Sequence, residues 1–224
     1  MARTFAFPIP YFLIFHFLTC AMSRILILFA HPALEKSRVH KRLLAHLKQL
    51  EQHITLHDLY EAYPDFDIDV PREQQLLLEH DIIIFQHPFY WYSCPAIIKQ
   101  WLDLVLEHGW AYGSKGKMLT GKKVFNAISC GGSAQAYQKT GRNRFTVREL
   151  LAPFDQTAYL CNMIYLPPFA VLGTHRLELA DIELQAAQFE QLLVALCNDR
   201  ISEAEWRSVS FLNELIPLPQ TIQS

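Results

Sequence analysis

From residue 24 onward, short apolar runs alternate with stretches in which apolar residues recur at helical spacing. The runs RILILFA at 24–30 and DIIIFQ at 81–86 are almost continuously apolar, which is typical of strands covered on both faces. Residues 53–59 alternate between apolar and polar positions, and apolar residues cluster again at 122–129 and 158–166. The pattern therefore predicts a strand at each of these positions.

Helices are predicted in the intervals between and after these strands, at 37–50, 73–79, 95–107, 145–151 and 182–196. Pro95 suits the first turn of its helix, and Pro153 ends the helix before it. Repeated strand–helix units predict an α/β fold, with a doubly wound five-stranded parallel sheet and helices on both faces. Such sheets bind ligands beyond the carboxyl ends of their strands, so the chemistry is expected in those loops.

An apolar leader precedes the first predicted strand. Residues 5–21 read FAFPIPYFLIFHFLTCA, and Arg3 is the only charged residue before Arg24. The run is shorter than the roughly 20 apolar residues of a membrane span, and one arginine makes a thin charged region for a signal peptide. Three interpretations stay open: an extraneous start before Met22, a membrane-associating segment, or a cleaved signal.

Composition supports a single compact domain with appendages. The 224 residues divide into the leader at 1–21, a domain at 22–200 and a C-terminal tail at 201–224. The formal net charge of -2 favours neither nucleic acid nor an anionic membrane surface as a partner. Five cysteines without a CxxC pair argue against a disulfide framework or a metal site, and indicate a reducing, cytoplasmic compartment.

The loop after the first strand is the first candidate for ligand binding. It lacks the GxGxxG and P-loop patterns, so a tightly held dinucleotide on this turn is unsupported. Ser37 stands where the first helix should begin, and the free N–H groups of a helix N-terminus suit a phosphate. His31, Arg38 and His40 would add donors or charge. An ordinary N-cap at Ser37, with the histidines facing solvent, explains the same residues.

Two further loops fall on the same edge of the predicted sheet. Residues 89–92 (FYWY) follow the third strand, and four successive aromatics need a flat ligand, the fold itself or a second subunit to pack against. An isoalloxazine ring fits this need, and so does an aromatic plug under the next helix. Gly131 and Gly132 follow the fourth strand, where they permit close backbone approach or form a simple turn. The convergence of three such loops is the main functional signal.

Five stretches of the chain together form a specific combination: AHP at 30–32 with Ser37, HDLYEAYPDFDIDVPREQ at 57–74, QHPFYWYSCPAIIKQWLD at 86–103, HGWAYG at 108–113 and YLPPF at 165–169. Over about residues 24–175 the chain resembles the flavodoxin-like NAD(P)H:quinone oxidoreductases, and most of all the ancillary proteins of bacterial glutathione-regulated potassium-efflux systems of the Kef type. The resemblance implies a flavodoxin-like fold, a homodimer, bound FMN (FAD in relatives) and two-electron reduction of quinones by NADH or NADPH. It also implies peripheral attachment at the inner face of the cell membrane to a potassium/proton antiporter, as its activator.

The resemblance also implies site residues by position. Its cofactor-binding set is His31, Ser37, Arg38, Val39 and His40 for the flavin phosphate, with Pro88, Phe89, Tyr90, Trp91, Tyr92, Ser129, Cys130, Gly131 and Gly132 around the ring and its ribityl chain. Its catalytic pair is Tyr137 and Asn143, and Asn143 stands where relatives have a histidine that handles charge on the reduced flavin. Asparagine cannot titrate near neutral pH. Cys130 replaces a usual threonine and His40 a usual asparagine.

The sequence thus predicts a flavin-dependent quinone reductase in which both substrates use one cavity, giving ping-pong kinetics. A non-catalytic, flavin-binding regulatory subunit of the antiporter is the alternative, because Asn143 removes the usual proton donor. A flavodoxin-type electron carrier ranks last, since the chain lacks a Thr/Ser-rich phosphate loop and a strongly acidic surface. Cys130 is the thiol singled out for reactivity, because it lies in the expected flavin loop.

Overall fold

The structure is a computed structural model that describes residues 22–47, 50 and 52–218. Its centre is a parallel sheet in which β1 (Ile25–Phe29) pairs with β2 (Ile54–Asp58) on one side and β3 (Ile82–Pro88) on the other. β4 (Lys123–Cys130) follows β3, and the strand order across the sheet is 2-1-3-4-5. The order reverses beside β1, as in a flavodoxin-like doubly wound fold. The predicted fold class is confirmed.

Two short strands share the fifth position of the sheet. β5 (Ile164–Tyr165) and β6 (Phe169–Leu172) both pair with β4. The residues between them include two prolines, which have no N–H to donate and interrupt the ladder. The predicted strand at 158–166 is therefore wrong in its bounds, since its first three residues are helical and the longer strand segment lies beyond it.

Helices cover both faces of the sheet. They are α1 (Arg38–Leu47), α2 (Leu59–Ala62), α3 (Val70–Glu79), α4 (Ala96–Val105), α5 (Val147–Leu150), α6 (Ala152–Leu160), α7 (Leu179–Cys197) and α8 (Glu203–Arg207). Pro153 lies in the first turn of α6. The sequence predicts instead that Pro153 marks the end of the preceding helix. Short 3-10 turns occupy Leu34–Lys36, Tyr90–Tyr92 and Leu212–Leu215.

The core lies in two layers on either side of the sheet. α1 and α7 pack on one face, where Phe29, Phe125 and Phe189 are fully buried. Trp101 of α4 and Phe154 of α6 fill the other face. β1 and β3 are buried along their whole length because both of their faces are covered, as their continuous apolar runs predict. This platform holds the loops at the carboxyl edge in place.

The segment after α7 packs onto the domain. Trp206 and Leu212 are buried against the layer formed by α7. The side-chain amide of Asn213 pairs with the backbone of Ala170 in β6: Oδ1 accepts from its N–H at 2.9 Å, and Nδ2 donates to its carbonyl oxygen at 3.3 Å. Gln188 of α7 donates to the Asn213 carbonyl at 3.0 Å. The predicted division of the chain near residue 200 stays a prediction, although residues 201–218 contact the domain closely.

The predicted leader at 1–21 lies outside the described residues. Among the residues that the structure describes, no helix is both long and apolar enough to cross a lipid bilayer.

Candidate active site

A cleft of about 520 Å³ opens at the carboxyl edge of the sheet, beside the point where the strand order reverses. Its walls come from the loops that follow β1, β3, β4 and β6, as expected for a doubly wound sheet. The lining residues are His31, Ala33, Lys36, Ser37, Arg38, Val39, Pro88, Phe89, Tyr90, Ser129, Cys130, Gly131, Thr174 and His175. Ten of the fourteen residues predicted to bind cofactor are in this wall, and the other four are His40, Trp91, Tyr92 and Gly132.

One end of the cleft is built to receive an anion. Ser37 caps α1, and its Oγ atom accepts a hydrogen bond of 3.0 Å from the backbone N–H of His40. The remaining N–H groups of this first turn and the positive end of the helix dipole favour a negative group here. Lys36 and Arg38 add formal positive charge to the same wall. The Arg38 guanidinium donates to the Leu177 carbonyl at 2.9 Å, which ties α1 to the loop after β6.

His31 presents a neutral imidazole to the cleft. Its Nδ1 atom accepts a hydrogen bond of 3.1 Å from the backbone N–H of Ala33. Burial lowers the pKa of His31 below its ordinary value, so the ring is uncharged at neutral pH. Because Nδ1 accepts, the proton of the neutral ring is on Nε2, which is then a donor.

His40 lies beneath the cleft instead of in its wall. Its ring is fully buried, with Nε2 2.9 Å from Oγ of Ser129 and Nδ1 3.4 Å from Nε2 of Gln86. Burial holds the pKa of His40 well below its usual value. The sequence placed this side chain among the phosphate ligands, whereas the structure buries its ring, and its backbone N–H donates to Oγ of Ser37 in the helix cap.

The aromatic loop divides into a buried residue and three exposed ones. Phe89 is buried against Tyr137, with the two ring centroids 6.0 Å apart. Trp91 is 93% exposed. Trp91 and Tyr92 adopt left-handed backbone angles, with φ of 49° and 62°. Each such conformation costs on the order of 1 kcal/mol in a residue with a bulky side chain, and strain of this kind concentrates at functional sites.

The two glycines after β4 lie close to neighbouring side chains. A Cβ atom on Gly131 would lie 2.3 Å from Nε2 of His175, and one on Gly132 would lie 2.8 Å from Cε2 of Tyr137. The loop thus leaves room for a histidine above it and a tyrosine below it. Gly132 supports Tyr137 without lining the cleft itself.

The predicted catalytic pair is not joined by a hydrogen bond in the described part of the chain. Tyr137 and Cys130 are both buried, and burial raises the pKa values of both, that of Cys130 to about 12. Cys130 therefore stays a thiol at neutral pH, and its predicted reactivity is not supported. Oδ1 of Asn143 instead accepts from the Tyr92 hydroxyl at 3.5 Å.

Sequence reasoning missed Thr174 and His175, which also line the cleft. They follow β6 directly, so the rule that ligands bind beyond strand ends would have found them. The fifth strand was predicted to end at Leu166, and no loop after it was considered as a ligand-binding site. Lys36 was missed as a lining residue although it adjoins Ser37.

The chain is similar to several known proteins. A family model described as flavodoxin-like fold matches residues 23–193. The chain is 48% identical over 170 residues to an uncharacterized NAD(P)H oxidoreductase, YrkL, of Bacillus subtilis, a match that covers 76% of this chain and 97% of that protein. It is 45% identical over 166 residues to the glutathione-regulated potassium-efflux system ancillary protein KefG of Serratia proteamaculans, covering 74% of this chain and 90% of that protein.

Two solved structures are similar in both sequence and fold. The general stress protein 14 of Treponema denticola, in complex with FMN, is 43% identical with a TM-score of 0.74, covering 77% of this chain and 99% of the other. An NADPH-quinone reductase from P. pentosaceus is 34% identical with a TM-score of 0.68, covering 75% of this chain and 96% of the other.

Proposed function

The chain belongs to the flavodoxin-like fold family, and from this premise we propose that it is an FMN-dependent NAD(P)H:quinone oxidoreductase. The observation that carries the proposal is the cleft at the carboxyl edge, with an anion-binding helix end, a neutral histidine and an aromatic wall. The relatives add the chemistry: one is named an NAD(P)H oxidoreductase, one structure an NADPH-quinone reductase, and one contains FMN.

The residues of the cleft fit FMN. A volume of about 520 Å³ lies within the roughly 300–1,000 Å³ typical of ligand sites. The N-terminal turn of α1, with Ser37, Lys36 and Arg38, would hold the phosphate. Pro88, Tyr90 and Gly131 would border the ring, where the glycine lets the backbone approach. When bound, FMN supplies the two-electron hydride chemistry that these side chains lack.

The protein's own residues position the ligands, and the two predicted catalytic residues do not transfer protons. Tyr137 keeps its proton through neutral pH because burial raises its pKa, so it acts as a hydrogen-bond donor and not as an acid. Asn143 cannot titrate in this range. Neither member of the predicted pair exchanges a proton, and protons must then come from solvent at the open mouth of the cleft. Since NAD(P)H and quinone share that mouth, they bind in turn, which predicts double-displacement kinetics.

We further infer two partners. The 93% exposure of the strained Trp91, beside the half-exposed Tyr92, favours a second copy of the chain that covers this loop in a homodimer. The relative named as an ancillary protein of a potassium-efflux system supports peripheral association with a membrane antiporter from the cytoplasmic side, as an activator. Because Asn143 cannot supply a proton, the second candidate function is a flavin-binding regulator with little turnover.

The test is an absorbance spectrum of the purified full chain, followed by addition of NADPH and then a soluble quinone. Flavin bands that bleach with NADPH and return with quinone are the expected result. Bound flavin without turnover would favour the regulator, and a chain that binds no FMN would overturn both. Arg38→Ala should weaken FMN binding, whereas Arg42→Ala, one turn along α1 and ion-paired with Glu183 at 3.1 Å, should not.

A further inference from the structure

Two buried polar side chains lie directly behind the cleft and have no part in the function described so far. His40 and Gln86 are both fully buried, and they form a chain that ends at Ser129 in the cleft wall. Oε1 of Gln86 is buried and has no hydrogen-bond partner among the described residues. Burying a polar group costs free energy unless it is hydrogen-bonded, so a buried atom without a partner calls for an explanation.

The order of these contacts fixes where the protons are. Nε2 of Gln86 is an amide nitrogen, which only donates, and it lies 3.4 Å from Nδ1 of His40. With the amide in this orientation Nδ1 accepts, which assigns the proton of the neutral ring to Nε2, 2.9 Å from Oγ of Ser129. The opposite amide orientation would leave an N–H group of Gln86 unpaired in place of its oxygen, and unpaired buried N–H groups are the rarer case.

The consequence falls on the Ser129 hydroxyl. Its oxygen accepts from His40, so its own proton is free to point elsewhere, and the residue lines the cleft. The backbone around it is rigid, because the Ser129 carbonyl accepts from the Phe89 N–H at 2.8 Å and ties β4 to the loop after β3. A hydroxyl held in this way is a directed donor.

We propose that His40 is a positioning residue that turns the Ser129 hydroxyl into a hydrogen-bond donor toward an acceptor atom of the flavin. The proposal rests on the proposed function, since it names a contact within the same site. The low pKa of His40 agrees with it: a doubly protonated ring would place an N–H against the donor nitrogen of Gln86.

The first test is the protonation state of the His40 ring, measured by ¹⁵N NMR on the cofactor-free full chain. We expect the Nε2–H tautomer in the wild type and a mixture of tautomers in Gln86→Leu, which removes the donor to Nδ1. An Nδ1–H tautomer in the wild type would overturn the proposal, because Ser129 would then donate to His40 and not to the cleft.

The second test is a double-mutant cycle on the dissociation constant of FMN. Ser129→Ala and His40→Leu should each weaken binding about fivefold, and the double variant should be no weaker than either single one. Losses that multiply to about 25-fold would overturn the proposal. His40→Gln, whose amide nitrogen can donate to the same hydroxyl, should restore affinity to within about twofold of the wild type.

The matched control is His80, a buried histidine whose Nε2 lies 2.7 Å from the Thr55 hydroxyl, between the end of α3 and β2. His80→Leu should lower stability without changing the FMN dissociation constant. If the wild-type chain binds no FMN, the proposed function is overturned, and so is the proposal that the Ser129 hydroxyl donates to a flavin. A chain that binds FMN with the Nδ1–H tautomer would overturn the positioning role alone.

Discussion

The indole nitrogen of Trp101 donates a hydrogen bond of 2.7 Å to Oε2 of Glu73, deep between α3 and α4. The other carboxylate oxygen accepts from His57 at 2.8 Å and from the Tyr63 hydroxyl. Burial alone would raise the pKa of Glu73, but these three hydrogen bonds outweigh it and lower that pKa. A charged carboxylate thus joins β2, α3 and α4 under the loops that carry the site.

Glu73→Gln should lower the free energy of unfolding by about 2–4 kcal/mol, because an amide oxygen cannot replace both carboxylate oxygens and its NH2 group would face donors. Urea unfolding at pH 7 measures the loss. Glu79→Gln is the control, since Glu79 lies exposed on the same helix and accepts a hydrogen bond from Gln75. Equal losses in the two variants would contradict the role given to the buried carboxylate.

Stability should fall as the pH drops below about 6.5, and His87 should be a main cause. This ring is fully buried, and burial lowers its pKa from 6.5 to about 4. The unfolded chain binds the proton first, so stability is complete above pH 6.5 and is lost toward pH 4, at about 1.4 kcal/mol per pH unit. The free energy of unfolding, measured by urea denaturation at pH 7.5, 6 and 5, should show this slope, and the His87→Gln variant should have a flatter one. Parallel slopes for the two proteins would assign the effect to other groups.

Trp91→Asn should stabilise the folded chain while weakening function. Asparagine tolerates the left-handed conformation that Trp91 adopts at φ 49°, so the free energy of unfolding should rise by about 0.5–1 kcal/mol. Loss of the exposed ring should reduce both dimer content, measured by sedimentation, and quinone turnover. Tyr159→Asn is the comparison, because Tyr159 is 78% exposed but helical; a stabilisation of similar size there would rule out relief of backbone strain as the reason.

Gly131→Ala should weaken FMN binding about tenfold and change stability little. The added Cβ would stand 2.3 Å from Nε2 of His175, whose exposed ring can swing away, and a swung ring narrows the cleft. Titration of FMN by fluorescence measures the loss. The variant Gly131→Ala/His175→Ala should recover most of the affinity. If it does not, the new methyl group and not the displaced ring obstructs the ligand.

The elements predicted best from the sequence are the two strands that form long, continuous apolar runs. The apolar runs of β1 and β3 are covered on both faces, so their strands and the loops beyond them were placed correctly. The run at 158–166 was ambiguous, because a short apolar stretch fits a strand or one face of a helix, and its first residues belong to α6. Thr174 and His175 follow a strand segment, Phe169–Leu172, that the predicted strand did not reach.

The role of His40 was beyond the reach of local pattern. Its position in the first turn of α1 suggests an exposed ligand of phosphate, which is how the sequence was interpreted. Burial of its ring depends on Ser129, 89 residues further along the chain, and on Gln86 of the neighbouring strand. Contacts at such separations follow from the packing of α1 on the sheet and not from residue spacing in α1.

The amide of Asn213 has a consequence for how this protein behaves at high concentration. An uncovered outer strand offers free N–H and C=O groups to other molecules and can seed aggregation. At β6 the side chain of Asn213 hydrogen-bonds both backbone groups of Ala170, which hinders pairing of a foreign strand at that residue. β2 forms the opposite border of the sheet and exposes Leu56. Intermolecular strand pairing would therefore begin at β2, and Leu56→Lys is the change that should suppress it.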